Sequence, residues 1–266
     1  MTAPEAAPLP SATVLLLRDG DDGLEVFMVK RHHQIDFASG ALVFPGGKLE
    51  KSDSDPALRA MTIGGEGLDD ASLALRVAAI RESFEECGIL LARPKGSQAL
   101  LAGADAEAVE SRWRAKLNAN SATMAEMAAA ENLSLAVDTM VPFAHWITPV
   151  GLPKRFDTHF FVAATPPDQL AGHDGRESVD SVWITPAKAL AEADAGRITL
   201  VFATRMNLVK LGRSTDTAAA LAAARADRVV TVLPQVTKTA SGRVLRIPIE
   251  AGYGVAEVNV EGQPRP

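Results

Sequence analysis

Between Asp69 and Gly88 the chain carries apolar residues at a helical period, namely Leu73, Val77, Ile80 and Phe84. The same stretch holds three glutamates at i, i+3 and i+4: Glu82, Glu85 and Glu86. Asp69 and Asp70 offer an N-cap, and Gly88 suits the left-handed position just past the last turn. At about 100° per residue the glutamates share one side of the helix, opposite the apolar stripe, with Arg81 flanking them. Three carboxylates this close repel one another unless a cation sits among them. A fold that carries this helix must bury one face of it and leave a ligand room on the other.

Charge clusters on helices are commonly solvated faces, because Glu is a good helix former. Two features argue for more here. Leu75, Ala78 and Ala79 lie on the carboxylate side one or two turns earlier, so that side is partly apolar and something packs or binds there. Upstream, the strand-like run Ala41-Leu42-Val43-Phe44 leads through Pro45 into Gly46-Gly47, and paired glycines let backbone carbonyls approach a ligand or ion.

Gly47 followed by Arg81-Glu82-x-x-Glu85-Glu86-x-Gly88-Ile89 resembles the signature of the Nudix hydrolases, G-x5-E-x7-R-E-U-x-E-E-x-G-U, where U is a bulky apolar residue. Ser83 occupies one U position, and Asp53 stands where the early Glu belongs. The gap to Arg81 is about twenty residues longer than the signature, which places an insertion roughly from Ser54 to Gly67 or beyond, expected as an exposed loop. An expanded box of this kind is similar to the branch that contains the peroxisomal coenzyme A diphosphatases. So are Gly40 to Gly47, Phe143-Ala144-His145-Trp146-Ile147-Thr148-Pro149 and Arg155-Phe156-Asp157-Thr158-His159-Phe160-Phe161.

The resemblance implies a mixed α/β (α+β) fold, an α/β/α sandwich around a mixed sheet. It also implies Mg²⁺ or Mn²⁺ held by Glu82, Glu85, Glu86 and the carbonyl of Gly47. A diphosphate supplies several oxygen ligands of its own, so few protein donors suffice. Arg81 then orients Glu85 through an i, i+4 ion pair, whereas its alternative reading is an ordinary surface pair. The general base comes either from the box glutamates or from a later loop, where Glu177 is the best candidate and a solvated loop carboxylate is the competing reading. Among cations placed to meet substrate phosphates, Arg155 leads, with Lys154, Arg31 and Lys48 behind it. His32, His33, His145 and His159 are not at metal-ligand spacings and read as structural or surface residues.

The 266 residues, 47% of them hydrophobic, can bury a sizeable core. Residues 1–10, rich in Ala and Pro, read as a disordered tail, and residues 11–266 as one domain with a helical insertion at about 98–135 and a C-terminal extension at about 197–266. No apolar run is long enough to cross a membrane and no secretory signal is visible, so a cytoplasmic protein is expected. The single cysteine, Cys87, excludes an internal disulfide or a cysteine metal cage. A net charge of −6 argues against nucleic acid as partner, but not against a small nucleotide whose phosphates meet a bound cation. Monomer and homodimer both stay open.

The hairpin signal Asp19 to Gly23 separates strand-like Ala12–Arg18 and Leu24–Lys30. Helices are expected at Asp105–Leu117 and Ala122–Glu131, then strands at Arg155–Ala163 and Ser178–Ile184. Helices follow from Pro186 towards Gly196, over Ala203–Leu211 and over Thr215–Arg225, with short strands at Val229–Leu233 and Arg243–Ile247. Ala251-Gly252-Tyr253-Gly254, with the only tyrosine, has no chemistry attached. The leading function is hydrolysis of the diphosphate of coenzyme A or acyl-coenzyme A. ADP-ribose or a dinucleotide is the alternative substrate, and a non-catalytic binding module on the same fold is the third reading.

Overall fold

A computed structural model describes residues 6–31, 40–169, 171–172, 178–239 and 242–260. Strands β1 (Leu9–Gly20) and β2 (Gly23–Arg31) form the expected antiparallel hairpin. After β3 (Leu42–Val43) the glycine pair is itself a strand, β4 (Gly46–Lys48), and α1 (Asp70–Cys87) follows. Next come β5 (Ala92–Pro94), α2 (Gly103–Asn118), α3 (Met124–Ala130), β6 (Leu133–Leu135), β7 (Val141–Ile147), β8 (Phe156–Ala164) and β9 (Ser178–Ile184). Helices α4 (Pro186–Asp194), α5 (Phe202–Leu211) and α6 (Thr217–Ala226) precede β10 (Thr231–Val232), β11 (Gln235–Thr239), β12 (Gly242–Arg246) and β13 (Glu257–Val260).

The main sheet runs β10-β7-β8-β1-β2-β3, with β4 added to β1 and β9 to β2. It is mixed: β1 pairs β8 in parallel and β10 pairs β7 in parallel, whereas the remaining neighbours are antiparallel. Strand β1 is central and apolar on both faces. Ala12, Val14 and Leu16 join one buried cluster with α1 and the residues of α2 and α3, while Leu15 and Leu17 join another that holds Met206, Leu208, Ala220 and Ala224 of α5 and α6. The α/β/α sandwich follows from this two-sided burial.

Several elements depart from the sequence reading. Leu9 and Pro10 belong to β1, paired with Phe156 and Asp157, so that end of the expected tail is strand. Segment 54–67 is not simply an exposed loop. It contains the 3₁₀ helix Pro56–Met61, whose Leu58 is buried, and Thr62 bridges Leu135. Strand β7 carries Pro142 beside a register shift, which explains why a period-two pattern is hard to see there.

Candidate functional site

Helix α1 begins and ends where its capping residues require. The Asp69 carboxylate accepts from the Ser72 N–H, and Gly88, at φ 75°, adopts the left-handed conformation that lets its N–H return to the Phe84 carbonyl. The apolar stripe is buried as expected. The carboxylate side is covered as well: Arg81, Glu82 and Glu86 are all buried, because β4 and the 3₁₀ turn Lys51–Ser54 lie against it.

Arg81 organises that side. Its Nε and Nη2 donate to the two Asp53 carboxylate oxygens at 2.9 and 3.0 Å, and Nη2 also reaches the Lys48 carbonyl at 2.9 Å. Nη1 donates to Glu82 Oε1 and Glu85 Oε2, both at 2.9 Å. Five donors thus find five acceptors, which is the full capacity of a guanidinium. Burial acts to lower the Arg81 pKa, but the Asp53 hydrogen bonds and the charges of Glu82, Asp53 and Glu85 outweigh it and drive the pKa up. Burial raises the Glu85 pKa, and Arg81 offsets only part of that. Asp53, at the early acidic position of the signature, is therefore the buried anchor of the arginine.

The glycine strand meets the glutamates directly. The Gly46 N–H donates to Glu86 Oε2 at 3.1 Å. Gly46 itself pairs with Thr13, so close that an added Cβ would stand 2.6 Å from the Ala12 carbonyl oxygen. A Cβ on Gly47 would lie 2.6 Å from Glu82 Cδ. Neither glycine has a positive φ, so what they provide is space. The helical insertion completes the support. Arg114 of α2 donates to the Glu85 and Glu86 carbonyls at 3.0 and 2.8 Å, and Asn118 donates to the Glu85 carbonyl at 3.2 Å, which satisfies acceptors at the end of α1 that have no intrahelical partner.

These residues line one end of a cleft of about 750 Å³. Gly46, Gly47, Lys48, Glu50, Arg81, Glu82, Glu85 and Glu86 stand there. The other end is walled by Trp146, Phe156 and Phe160 from the sheet, Phe202 of α5, Pro234 and Leu245. Trp146 is fixed by a buried chain: its Nε1–H donates to the Tyr253 hydroxyl at 2.7 Å, which donates to Asn207 Oδ1 at 2.8 Å. Burial raises the Tyr253 pKa despite the tryptophan's hydrogen bond, so the hydroxyl stays a donor. Sequence reasoning missed this wall as a unit: Trp146, Phe156 and Phe160 stand inside quoted motifs, but Phe202, Pro234 and Leu245 lie far from them along the chain.

Among the predicted cations, Lys48 and Lys154 line the cleft. Arg155 does not: it is buried and donates to the carbonyls of Thr148 and Ala6, both at 3.0 Å. Glu177 and the Arg31 side chain lie outside the described residues.

The fold is that of known Nudix proteins. A Nudix hydrolase from Alicyclobacillus acidocaldarius superposes with a TM-score of 0.69 at 25% identity, covering 82% of this chain and 96% of that one. The profile of the NUDT19 Nudix domain matches residues 60–204, more than half of the chain, and the protein belongs to the Nudix hydrolase family. Acyl-coenzyme A diphosphatase NUDT19 of Xenopus laevis is 28% identical over 212 residues, and the human protein of that name 25% over 206. These alignments cover 65% and 63% of this chain but 56% and 55% of the relatives, so the chain matches little more than half of their length.

Proposed function

We propose that the protein is a metal-dependent diphosphatase acting on coenzyme A or acyl-coenzyme A. The observation that carries the reading is the charge gathered at the end of α1: among the described residues, four carboxylates, Asp53, Glu82, Glu85 and Glu86, lie around the guanidinium of Arg81 and the Gly46 N–H. Such an excess of negative charge in a buried setting suits a divalent cation, and an all-oxygen donor set suits Mg²⁺ or Mn²⁺. Glu82, Glu85 and Glu86, with the Gly47 carbonyl, are the residues to hold it. A bound ion of this kind would polarise a phosphoryl oxygen and lower the pKa of an attacking water.

The protein's own part is positioning. Arg81 donates to Glu82 and to Glu85, and a carboxylate offers about four lone-pair sites, so that bond serves to orient each of them. The proton of the attacking water goes to one of these glutamates or to Glu177. Lys48 and Lys154 meet substrate phosphates, and Lys154 takes over the role first assigned to Arg155, whose guanidinium is engaged by backbone carbonyls. The aromatic wall accepts the adenine or the apolar acyl end. The names of the Xenopus and human relatives support this substrate class.

The test is a panel of coenzyme A, dephospho-coenzyme A and ADP-ribose with Mg²⁺ or Mn²⁺, with products resolved by mass. Coenzyme A is expected to yield 4′-phosphopantetheine and adenosine 3′,5′-bisphosphate with the highest kcat/KM. Lys154→Ala should narrow the gap to dephospho-coenzyme A. A clear preference for ADP-ribose would move the assignment to that substrate.

A further inference from the structure

The two strands that wall the cleft have a second face. On β7 and β8 the residues Trp146, Thr158 and Phe160 point into the cleft, and the alternation of a strand sends His145, Asp157 and His159 the other way. In the antiparallel pairing His145 stands directly across from His159, and Asp157 lies two residues before His159 on the same face. One donor atom from each of the three side chains falls within 4.8 Å of the others. Their imidazoles stack at 4.0 Å between ring centroids, and His145 Nε2 touches Asp157 Oδ1. The other ring nitrogen of His145 is held by Thr231 of β10, 2.8 Å from its hydroxyl. All three side chains are half-buried, and none lines the carboxylate cleft.

We propose that His145, Asp157 and His159 form a second metal site, selective for a divalent transition ion of the Zn²⁺ type. Two imidazoles and one carboxylate make the donor set that borderline-soft ions prefer, with solvent left to fill a fourth position. The ligands sit on paired strands, so the sheet ladder fixes their separation before any ion arrives. The Thr231 hydroxyl supplies the outer partner that ligating histidines commonly use to set ring orientation. Mg²⁺ is a hard ion that favours oxygen, so the two sites of this protein sort metals by chemistry. An ion here would tie β7 to β8 behind the cleft wall and stabilise the folded state by mass action.

The experiment is a competition titration of the untagged full chain against a chromophoric Zn²⁺ chelator in excess Mg²⁺, paired with thermal unfolding with and without Zn²⁺. Wild type is expected to take up Zn²⁺ and to melt at higher temperature with it. Asp157→Asn and His159→Ala should each bind at least about tenfold more weakly. Glu86→Gln should bind Zn²⁺ as wild type does, which keeps this site distinct from the carboxylate cleft. Asp157→Asn, nearly isosteric, decides the matter if His159→Ala does not fold. The proposal is overturned if wild type and Asp157→Asn bind alike, or if Glu86→Gln abolishes the binding.

Discussion

The two ends of the cleft are built on opposite principles. At the charged end, one arginine satisfies five acceptors drawn from strand β4, a short turn and one turn of α1, and the nearby glycines make room for carboxylates. At the aromatic end, Phe202 packs edge-on against Trp146, and a hydrogen-bond chain ties Trp146 through Tyr253 to Asn207, whose buried Nδ2 has no partner among the described residues. The first end concentrates charge; the second shapes a largely apolar surface. On the proposed function, chemistry belongs to the former and selectivity to the latter.

The contrast predicts unequal responses to mutation. Arg81→Met should have the largest effect, because it leaves the fully buried Asp53 carboxylate unpaired; a loss of roughly 3–5 kcal/mol in a urea unfolding titration is expected. A change below 1 kcal/mol would mean that the charged end is not a cooperative unit. Gly47→Ala comes next. Its Cβ must displace the Glu82 carboxylate, so kcat should fall by about 100-fold, or roughly 2.7 kcal/mol of transition-state stabilisation, with much less effect on melting. Retention of wild-type turnover in this variant would remove Glu82 from the site. Tyr253→Phe should do least. Removing a hydroxyl that serves Trp146 and Asn207 costs about 1–3 kcal/mol in stability. It should raise KM for coenzyme A several-fold while kcat stays near wild type, and a collapse of kcat would blur the division between the two ends.

The same contrast explains what the sequence disclosed. Glu82, Glu85, Glu86 and Arg81 lie within six consecutive residues of one helix, so helical geometry alone places them together, and Asp69 and Gly88 mark its ends. Asp53 was legible as a spacing, although its bidentate grip on Arg81 was not. Arg155 read as the leading cation for substrate phosphates, because nothing local announces that its guanidinium donates to the Thr148 and Ala6 carbonyls. The Trp146–Tyr253 contact spans 107 residues and the Tyr253–Asn207 contact 46, distances over which only the finished fold speaks. His145 and His159 did not read as ligands, since their proximity depends on a strand register set by the bulge at Pro142. The helical insertion was visible as helices, whereas its service to α1 through Arg114 was not.

The central claim is that the glutamate cluster of α1 performs metal-dependent cleavage of a nucleoside diphosphate linkage. The most direct measurement compares wild type with Glu86→Gln, both with coenzyme A and Mn²⁺, reading products by mass and folding by thermal unfolding. Wild type should release 4′-phosphopantetheine and adenosine 3′,5′-bisphosphate, and the variant, folded to a similar melting temperature, should turn over at least about 100-fold more slowly. Equal turnover by the two proteins across a metal titration would contradict the claim.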